Sequence, residues 1–281
     1  MKNIVIVGHG YVGKAVEYGF NTKKNKITLI DPALYGNSVD DIKKSKDFID
    51  VAFVCVPTPF GSDGAIDASI VIDVTNKLIE NTTGLIVIKS TVIPSIVKKL
   101  SEENTRVIYN PEFLTERNAL DDFVNPPMHI LGGGRSATDT LETLYKKFSR
   151  CKPAPVYKMS AQDAAFVKYG INSFLATKVM WFNQYKELID YHGADYDSII
   201  SAVGTDSRIS HSHTQVPGPD GRCGFGGACF PKDTNALAQF AGTDYLSILH
   251  LVISENNKIR NQYELDEREK EQNVVYMQDA I

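Results

Sequence analysis

The feature that most constrains this chain is a glycine-rich turn directly after a short apolar strand near its N-terminus. Gly8, Gly10 and Gly13 follow the spacing Gly-x-Gly-x-x-Gly, with a predicted strand at residues 3–7 before them and a helical pattern after them. In such a unit the first glycine makes the tight turn, the second lets a pyrophosphate approach the backbone, and the third permits close helix–strand contact. The helix N-terminus supplies N–H groups for the phosphates. The turn therefore predicts dinucleotide binding by Gly8, Gly10, Tyr11, Val12 and Gly13.

The acidic residue that ends the next predicted strand, Asp31, strengthens this interpretation. It lies roughly 20 residues beyond the last glycine, where a carboxylate accepts hydrogen bonds from ribose hydroxyls and repels a 2′-phosphate. We therefore expect NAD rather than NADP. A glycine-rich turn that only packs closely is the alternative, and the strand, the helix and the acid around it argue against it. His9, inside the turn, is expected to be exposed and without a catalytic role.

Composition excludes several classes of function. The 281 residues are enough for about two domains, and the formal net charge of −4 gives no reason to expect a nucleic-acid or membrane-surface partner. No apolar run approaches the ~20 residues of a membrane span, and residues 1–7 run straight into a strand, so we expect a cytoplasmic protein without a secretory signal. Because the four cysteines form no C-x-x-C pair and no histidine follows at zinc-finger spacing, no metal site is expected, and without a secretory signal no disulfide framework is expected either.

Short apolar runs alternate with helical patterns over the first 158 residues. The predicted strands are 3–7, 27–30, 51–56, 85–89, 106–109, 129–131 and 156–158. This alternation predicts an α/β fold with a Rossmann-like, doubly wound parallel sheet. The period then changes: residues 161–192 read as a long helix, and helical patterns resume from 233 to about 262. We therefore expect an NAD-binding domain at 1–158 and a mainly helical central domain at 159–281. The mixed charges of residues 264–271 are expected on a solvated helix face or frayed tail.

A second glycine-rich segment, residues 224–233, contains Cys229. Three glycines precede the cysteine, and Lys232 and Asp233 follow it closely. A neighbouring cation favours the thiolate, which is the nucleophilic form of cysteine. On local chemistry alone, a reactive thiol and a buried structural cysteine are equally good interpretations.

Six segments taken together resemble the UDP-glucose/GDP-mannose dehydrogenase family. In chain order they are the turn at 8–13, Val-Pro-Thr-Pro at 56–59, Ser-Thr-Val at 90–92, Asn-Pro-Glu-Phe-Leu-Thr-Glu at 110–116, Lys168-x-x-x-Asn172, and the segment 224–233. The resemblance runs from residue 4 to about residue 240. It implies NAD-dependent four-electron oxidation of a nucleotide sugar to a carboxylate, with UDP-glucose to UDP-glucuronate as the expected reaction and polysaccharide biosynthesis as its setting.

The resemblance also implies catalytic roles. Cys229 would add to an aldehyde intermediate, giving a thiohemiacetal and then a thioester that water hydrolyses. Lys168 and Asn172 would stabilise negative charge on the reacting oxygen, and Asp233 would act as acid and base with Lys168 through a water. The remaining two assignments are Glu116 for thioester hydrolysis and Thr91 for positioning water or cofactor. Without the motifs, these side chains would be read as ordinary polar residues of helices, turns and the surface.

Binding contacts follow from the same resemblance. The residues expected around the sugar nucleotide are Glu112, Phe113, Leu114, Lys168, Asn172 and Gly226. Those expected to contact NAD, besides the turn and Asp31, are Thr58, Thr91, Glu116 and Lys232. For Arg208 a contact with nucleotide phosphate and an exposed loop position are equally good interpretations.

The sequence departs from the family pattern in two places. Members often carry a basic residue shortly after the ribose aspartate, whereas Asp31 is followed by Pro-Ala-Leu-Tyr at 32–35. The usual chain also continues with a second α/β domain on the order of 100–150 residues, whereas this sequence ends where that domain would begin. Recognition of the base is therefore expected from the first two domains or from another subunit.

Two alternatives to a four-electron dehydrogenase stay open. A single-step β-hydroxyacid-type dehydrogenase would use Lys168 and Asn172 but has no need of Cys229. A non-catalytic protein that binds NAD or a nucleotide sugar would need no nucleophile at all. In the leading interpretation, the resemblance also implies a homodimer through the helix at 161–192.

Overall fold

The computed structural model describes residues 1–44, 48–61 and 65–276, without the side chains of Lys43, Lys44 and Glu116. The chain divides into two compact units. The first contains Met1–Thr58 and Asp67–Lys168, and the second contains Pro59–Ile66 and Tyr169–Ile281.

A seven-stranded sheet forms the centre of the first unit. Its strands are β1 Lys2–Val7, β2 Asn25–Ile30, β3 Val51–Val54, β4 Leu85–Ile88, β5 Val107–Tyr109, β6 His129–Gly132 and β7 Val156–Met159. They lie in the order β2-β1-β3-β4-β5-β6-β7, and every neighbouring pair is parallel except β5 and β6. β3, which is buried along its whole length, and β4, which is buried apart from its first residue, are continuous apolar runs, as expected for strands covered on both faces.

Helices lie between these strands, and some of them share a core with the sheet. They are α1 Tyr11–Phe20, α2 Pro32–Tyr35, α3 Ser69–Asn81, α4 Pro94–Glu103, α5 Ala119–Val124 and α6 Arg135–Phe148. Phe20, Phe53, Phe123 and Tyr145 pack together in this core. The strand order reverses between β1 and β3, which is where open α/β sheets bind their ligands. The Rossmann-like sheet predicted from the sequence is confirmed.

Helices make up the described secondary structure of the second unit, apart from an isolated β-bridge between Phe60 and Ile66. α7 Ala161–Tyr191 begins in the first unit and continues into the second, and it is followed by α8 Tyr196–Val203, α9 Phe230–Ala241, α10 Ser247–Arg260 and α11 Glu267–Glu271. The helical patterns at 233–262 thus correspond to two helices, α9 and α10. Gly242 ends α9 at a φ of 70°, and Leu246 precedes α10 at a φ of 56°, so the chain turns twice in left-handed geometry between them.

Candidate functional site

The glycine turn has the geometry that a dinucleotide site requires. Gly8 has a φ of 86°, and a Cβ there would lie 2.6 Å from the carbonyl oxygen of Cys55 at the end of β3. A Cβ on Gly13 would lie 2.1 Å from the oxygen of Gly8, so α1 packs tightly on the turn. At Gly10, by contrast, a Cβ would meet no atom within 4 Å. Of the three glycines in the turn, Gly10 is the one with open space beside it, and it is also the one that the pyrophosphate is expected to approach.

Asp31 is held as a carboxylate beside this turn. Its Oδ2 accepts from the backbone N–H of His9 at 2.8 Å, and its Oδ1 accepts from those of Ala33 and Leu34 at 3.0 and 3.1 Å. Partial burial alone would raise the pKa of Asp31, but these three N–H donors outweigh burial and hold the pKa below its ordinary value. With Gly10 open and α1 beginning at Tyr11, the residues present fit NAD.

His9 corrects one expectation. Its side chain is buried, with only 7% of the residue exposed, rather than exposed at the surface of the turn. Both ring nitrogens have partners, Tyr35 on one side and Glu17 on the other. The turn therefore carries a fixed imidazole that the spacing of glycines gave no reason to expect.

Three further residues assigned to the cofactor or to catalysis follow strands β3, β4 and β5. Thr58 and Thr91 are buried, with 4% and 7% of each residue exposed, at the carboxyl ends of β3 and β4. Glu116 begins a short 3-10 helix, Glu116–Asn118, and its side chain lies outside the described part of the chain. Their contacts with cofactor or water stay predictions.

Lys168 and Glu112 form a buried ion pair in the first unit. The ammonium of Lys168 donates to the Glu112 carbonyl at 2.7 Å and to its Oε1 at 3.0 Å, and both side chains are at most 5% exposed. Glu112 Oε2 accepts from the N–H of Leu114, and the ammonium also lies 5.5 Å from the centre of the Phe113 ring. The segment assigned to the sugar nucleotide is thus folded around the lysine. A solvent-facing Lys168 is excluded.

Sequence analysis missed a second buried lysine, Lys89, at the carboxyl end of β4. Its ammonium donates to Asn110 Oδ1 at 3.2 Å, which also accepts from the Tyr145 hydroxyl at 2.6 Å. Burial lowers the pKa of Lys89 to about 8, and the nearby Cys55 and Glu112 only partly oppose this shift. Lys89 directly precedes the Ser-Thr-Val segment, but its residue type alone does not indicate burial.

Cys229 lies at the start of α9, in the second unit. The residue is half-buried and occupies the N-cap position of the helix, where the first-turn N–H groups favour a nearby anion. One turn into the helix, the N–H of Asp233 donates to the Cys229 carbonyl at 2.9 Å. The thiol is therefore presented from the end of a helix.

Asp233 is buried, with 1% exposed, and both of its carboxylate oxygens are occupied. Asn172 Nδ2 donates to Oδ2 at 2.6 Å, and the Lys232 ammonium donates to Oδ1 at 2.6 Å. The second unit thus brings together three of the predicted residues. The contact between Lys232 and the cofactor stays a prediction.

A buried cluster supports the glycines that precede Cys229, and it corrects the expectation of a solvated tail. Glu269 on α11 is 1% exposed, and its Oε1 accepts from Arg260 at 2.8 Å, from the Tyr276 hydroxyl at 2.7 Å and from the N–H of Gly227 at 3.1 Å. A Cβ on Gly226 would lie 1.7 Å from Arg260 Nη2, so a larger residue there would displace the Arg260 guanidinium. The spacing Asp266-x-x-Glu269, which forms a capping box in the structure, is the sequence signal that marks the start of α11.

Arg208 is exposed, with 87% of its side chain accessible, and it pairs with Asp206 at 2.6 Å. The described residues show no group of three His, Cys, Asp or Glu side chains arranged to hold a metal ion. Within the same residues, no helix has both the length and the apolar character needed to cross a membrane.

Comparison with known proteins gives the family. Residues 36–149 match the NAD binding domain of the UDP-glucose/GDP-mannose dehydrogenase family, and residues 162–258 match its central domain. The chain belongs to this family. NAD is accordingly the cofactor of its first unit, in agreement with the geometry of the turn and of Asp31.

Individual relatives show the same likeness. The chain is 32% identical to the UDP-glucose 6-dehydrogenase TuaD of Bacillus subtilis over 92% of its own length and 64% of that protein's length. It is 36% identical to a UDP-glucose 6-dehydrogenase of Rickettsia bellii, over 74% of this chain and 49% of that one. The chain thus spans between about half and two thirds of the length of these relatives.

Among solved structures, a UDP-glucose dehydrogenase from Pyrobaculum islandicum superposes with a TM-score of 0.75 at 27% identity. That match covers 92% of this chain and 68% of the other.

Proposed function

We propose that this protein oxidises a nucleotide sugar, UDP-glucose in the first instance, to the corresponding uronate through a covalent intermediate on Cys229. The observation that carries the proposal is the arrangement on α9. The half-buried thiol begins the helix, and Asp233, one turn on, is hydrogen-bonded to Asn172. A single-step dehydrogenase has no use for such a thiol, and the named relatives act on UDP-glucose.

The chemistry divides between the cofactor and the thiol. When bound, one NAD+ would accept a hydride in the oxidation of alcohol to aldehyde, and a second NAD+, exchanged for the NADH, would accept a hydride in the oxidation of thiohemiacetal to thioester. Cys229 Sγ forms a C–S bond to the aldehyde carbon, while the carbonyl oxygen gains a proton. This bond keeps the aldehyde on the protein between the two oxidations. Water then adds to the thioester carbon, the C–S bond breaks, and the acid and the free thiol are released.

Polar side chains assist these steps. We assign Lys168 and Asn172, which are four residues apart on α7, to stabilise negative charge on the reacting oxygen. Asp233 is the acid and base for that oxygen. Glu116 is assigned to thioester hydrolysis and Thr91 to positioning water or cofactor.

The binding residues are proposed by the same reasoning. The residues assigned to the sugar nucleotide are Glu112, Phe113, Leu114, Lys168, Asn172, Arg208 and Gly226. Those assigned to NAD, beyond the turn and Asp31, are Thr58, Thr91, Glu116 and Lys232. The corresponding domains are residues 1–158 for NAD and residues 159–281 for the thiol.

The test is the ratio of NADH formed to sugar consumed. Purified protein is mixed with NAD+ and each of a panel of UDP- and GDP-sugars. We expect two NADH per UDP-glucose and formation of the uronate. One NADH per sugar would favour single-step chemistry. The fold alone does not decide between the two, since the chain shares it with 3-hydroxyisobutyrate dehydrogenase of Mycobacterium tuberculosis, with a TM-score of 0.73 at 16% identity over 95% of this chain. No turnover with any sugar would favour a binding protein.

A homodimer through α7, in the cytoplasm, completes the proposal. The outer side of α7 carries exposed apolar residues, among them Phe174, Trp181 and Leu188, each more than half exposed. Sedimentation equilibrium should therefore give twice the mass of one chain. A monomer at micromolar concentration would contradict the dimer.

A further inference from the structure

The buried imidazole of His9 is the middle of a chain of hydrogen bonds beside the glycine turn. Its Nδ1 lies 2.9 Å from the Tyr35 hydroxyl, and its Nε2 lies 2.8 Å from Glu17 Oε2. Glu17 belongs to α1 and Tyr35 to α2, so the ring ties both helices to the turn. Neither the glycine motif nor the proposed reaction uses this arrangement.

The partners fix the direction of the protons when His9 is neutral. A carboxylate such as that of Glu17 only accepts, so Nε2 carries the hydrogen and donates it. Nδ1 is then an acceptor, and the hydroxyl of Tyr35 must donate to it. The phenol proton is therefore used in the hydrogen bond to His9, and the phenol oxygen can only accept a hydrogen bond from any further partner.

The Tyr35 hydroxyl and the Asp31 carboxylate, which is expected to bind the ribose, are both hydrogen-bonded to His9. The N–H of His9 donates to Asp31 Oδ2 at 2.8 Å while its ring holds Tyr35, and Asp31 and Tyr35 stand at the two ends of α2. Tyr35 is half exposed, at 49%, so its ring is accessible to a ligand. The segment between Asp31 and Tyr35 contains no lysine or arginine.

We propose that Tyr35, oriented by His9, is a specificity-determining residue that accepts a hydrogen bond from the adenosine ribose and rejects a 2′-phosphate. The ribose diol of NAD+ brings two hydroxyl donors, which suit the two acceptors Asp31 and Tyr35. A 2′-phosphate brings acceptors and negative charge, and it would meet a carboxylate and a phenol oxygen that has no proton to offer. Asp31 and Tyr35 together select NAD+, whatever sugar nucleotide the protein oxidises.

The test measures dissociation constants for NAD+ and NADP+ by calorimetry, without any sugar nucleotide. Tyr35→Phe should weaken NAD+ binding roughly threefold to tenfold, the loss expected for one hydrogen bond. Binding of NADP+ should not weaken, so the preference for NAD+ falls by the same factor. His9→Ala should have the same effect, because it releases the phenol. The double variant should be no weaker than either single variant, since both remove one interaction.

Tyr157→Phe is the matched control, because Tyr157 is a similarly exposed tyrosine on β7. We expect it to leave both dissociation constants unchanged. His9 is buried, so thermal unfolding is recorded for every variant; if His9→Ala does not fold, Tyr35→Phe decides the matter alone. An unchanged NAD+/NADP+ ratio in Tyr35→Phe, or an equal loss for both cofactors, would overturn the proposal. Binding is measured without sugar, so this outcome is independent of NADH stoichiometry.

Discussion

Replacing Cys229 by alanine should reduce formation of the uronate by at least about a thousandfold, the order of loss seen when a catalytic nucleophile is removed. Without the thiol no thiohemiacetal forms, so the second oxidation has no substrate held on the protein. The first oxidation needs no thiol, and NADH should therefore not exceed one per sugar. Chromatography of the sugar nucleotide, together with absorbance of NADH, measures both quantities.

Cys223→Ala is the matched control for this substitution. Cys223 is another half-buried cysteine of the same loop region, and its side chain packs against the apolar cluster that contains Phe182 and Val216. We expect this variant to form the acid at the rate of the unmodified protein. If Cys229→Ala still made acid at an unchanged rate, the covalent mechanism would be wrong, although the NAD site would be unaffected.

The sheet could be predicted from the sequence because most of its strands are buried. Strands such as β3 and β4 are uninterrupted apolar runs, and all seven predicted strands occur within a few residues of their expected bounds. The antiparallel pairing of β5 with β6 could not be predicted, since strand direction depends on the path of the connection between them. The break between α9 and α10 was missed because Gly242 and Leu246 interrupt a pattern that otherwise keeps its helical period.

The candidate site was predictable where a residue is part of a local motif. The glycine turn and Asp31 are read from spacing alone, and the structure gives them the expected backbone geometry. Burial of Lys89, His9 and Glu269 was not predictable, because each is stabilised by partners distant in sequence. Glu269, for example, accepts from Gly227, 42 residues earlier in the chain. Polar residue types indicate exposure on average, and only tertiary contacts reverse it.

Replacing Gly10 by valine should abolish NAD+ binding while leaving the fold intact. A Cβ at this position meets no protein atom within 4 Å, so the substitution costs little in the free protein. The same side chain would occupy the space through which a pyrophosphate approaches the backbone. Losing two charge-assisted hydrogen bonds to phosphate, at about 1.5–3 kcal/mol each, corresponds to a loss of at least about a hundredfold in affinity. Calorimetric titration with NAD+ measures the loss, and thermal unfolding should show a melting temperature within a few degrees of the unmodified protein.

Gly13→Ala is expected to destabilise the fold rather than to block the cofactor directly. Its new methyl group would lie 2.1 Å from the carbonyl oxygen of Gly8, a backbone atom that cannot move without opening the turn between β1 and α1. The protein should therefore lose stability first, with weaker NAD+ binding as a consequence. The two glycines thus have different roles in this turn. Gly10 leaves room for the ligand, and Gly13 permits α1 to pack closely on the turn. If Gly10→Val bound NAD+ normally, the pyrophosphate would have to lie elsewhere, and the assignment of the turn would be wrong.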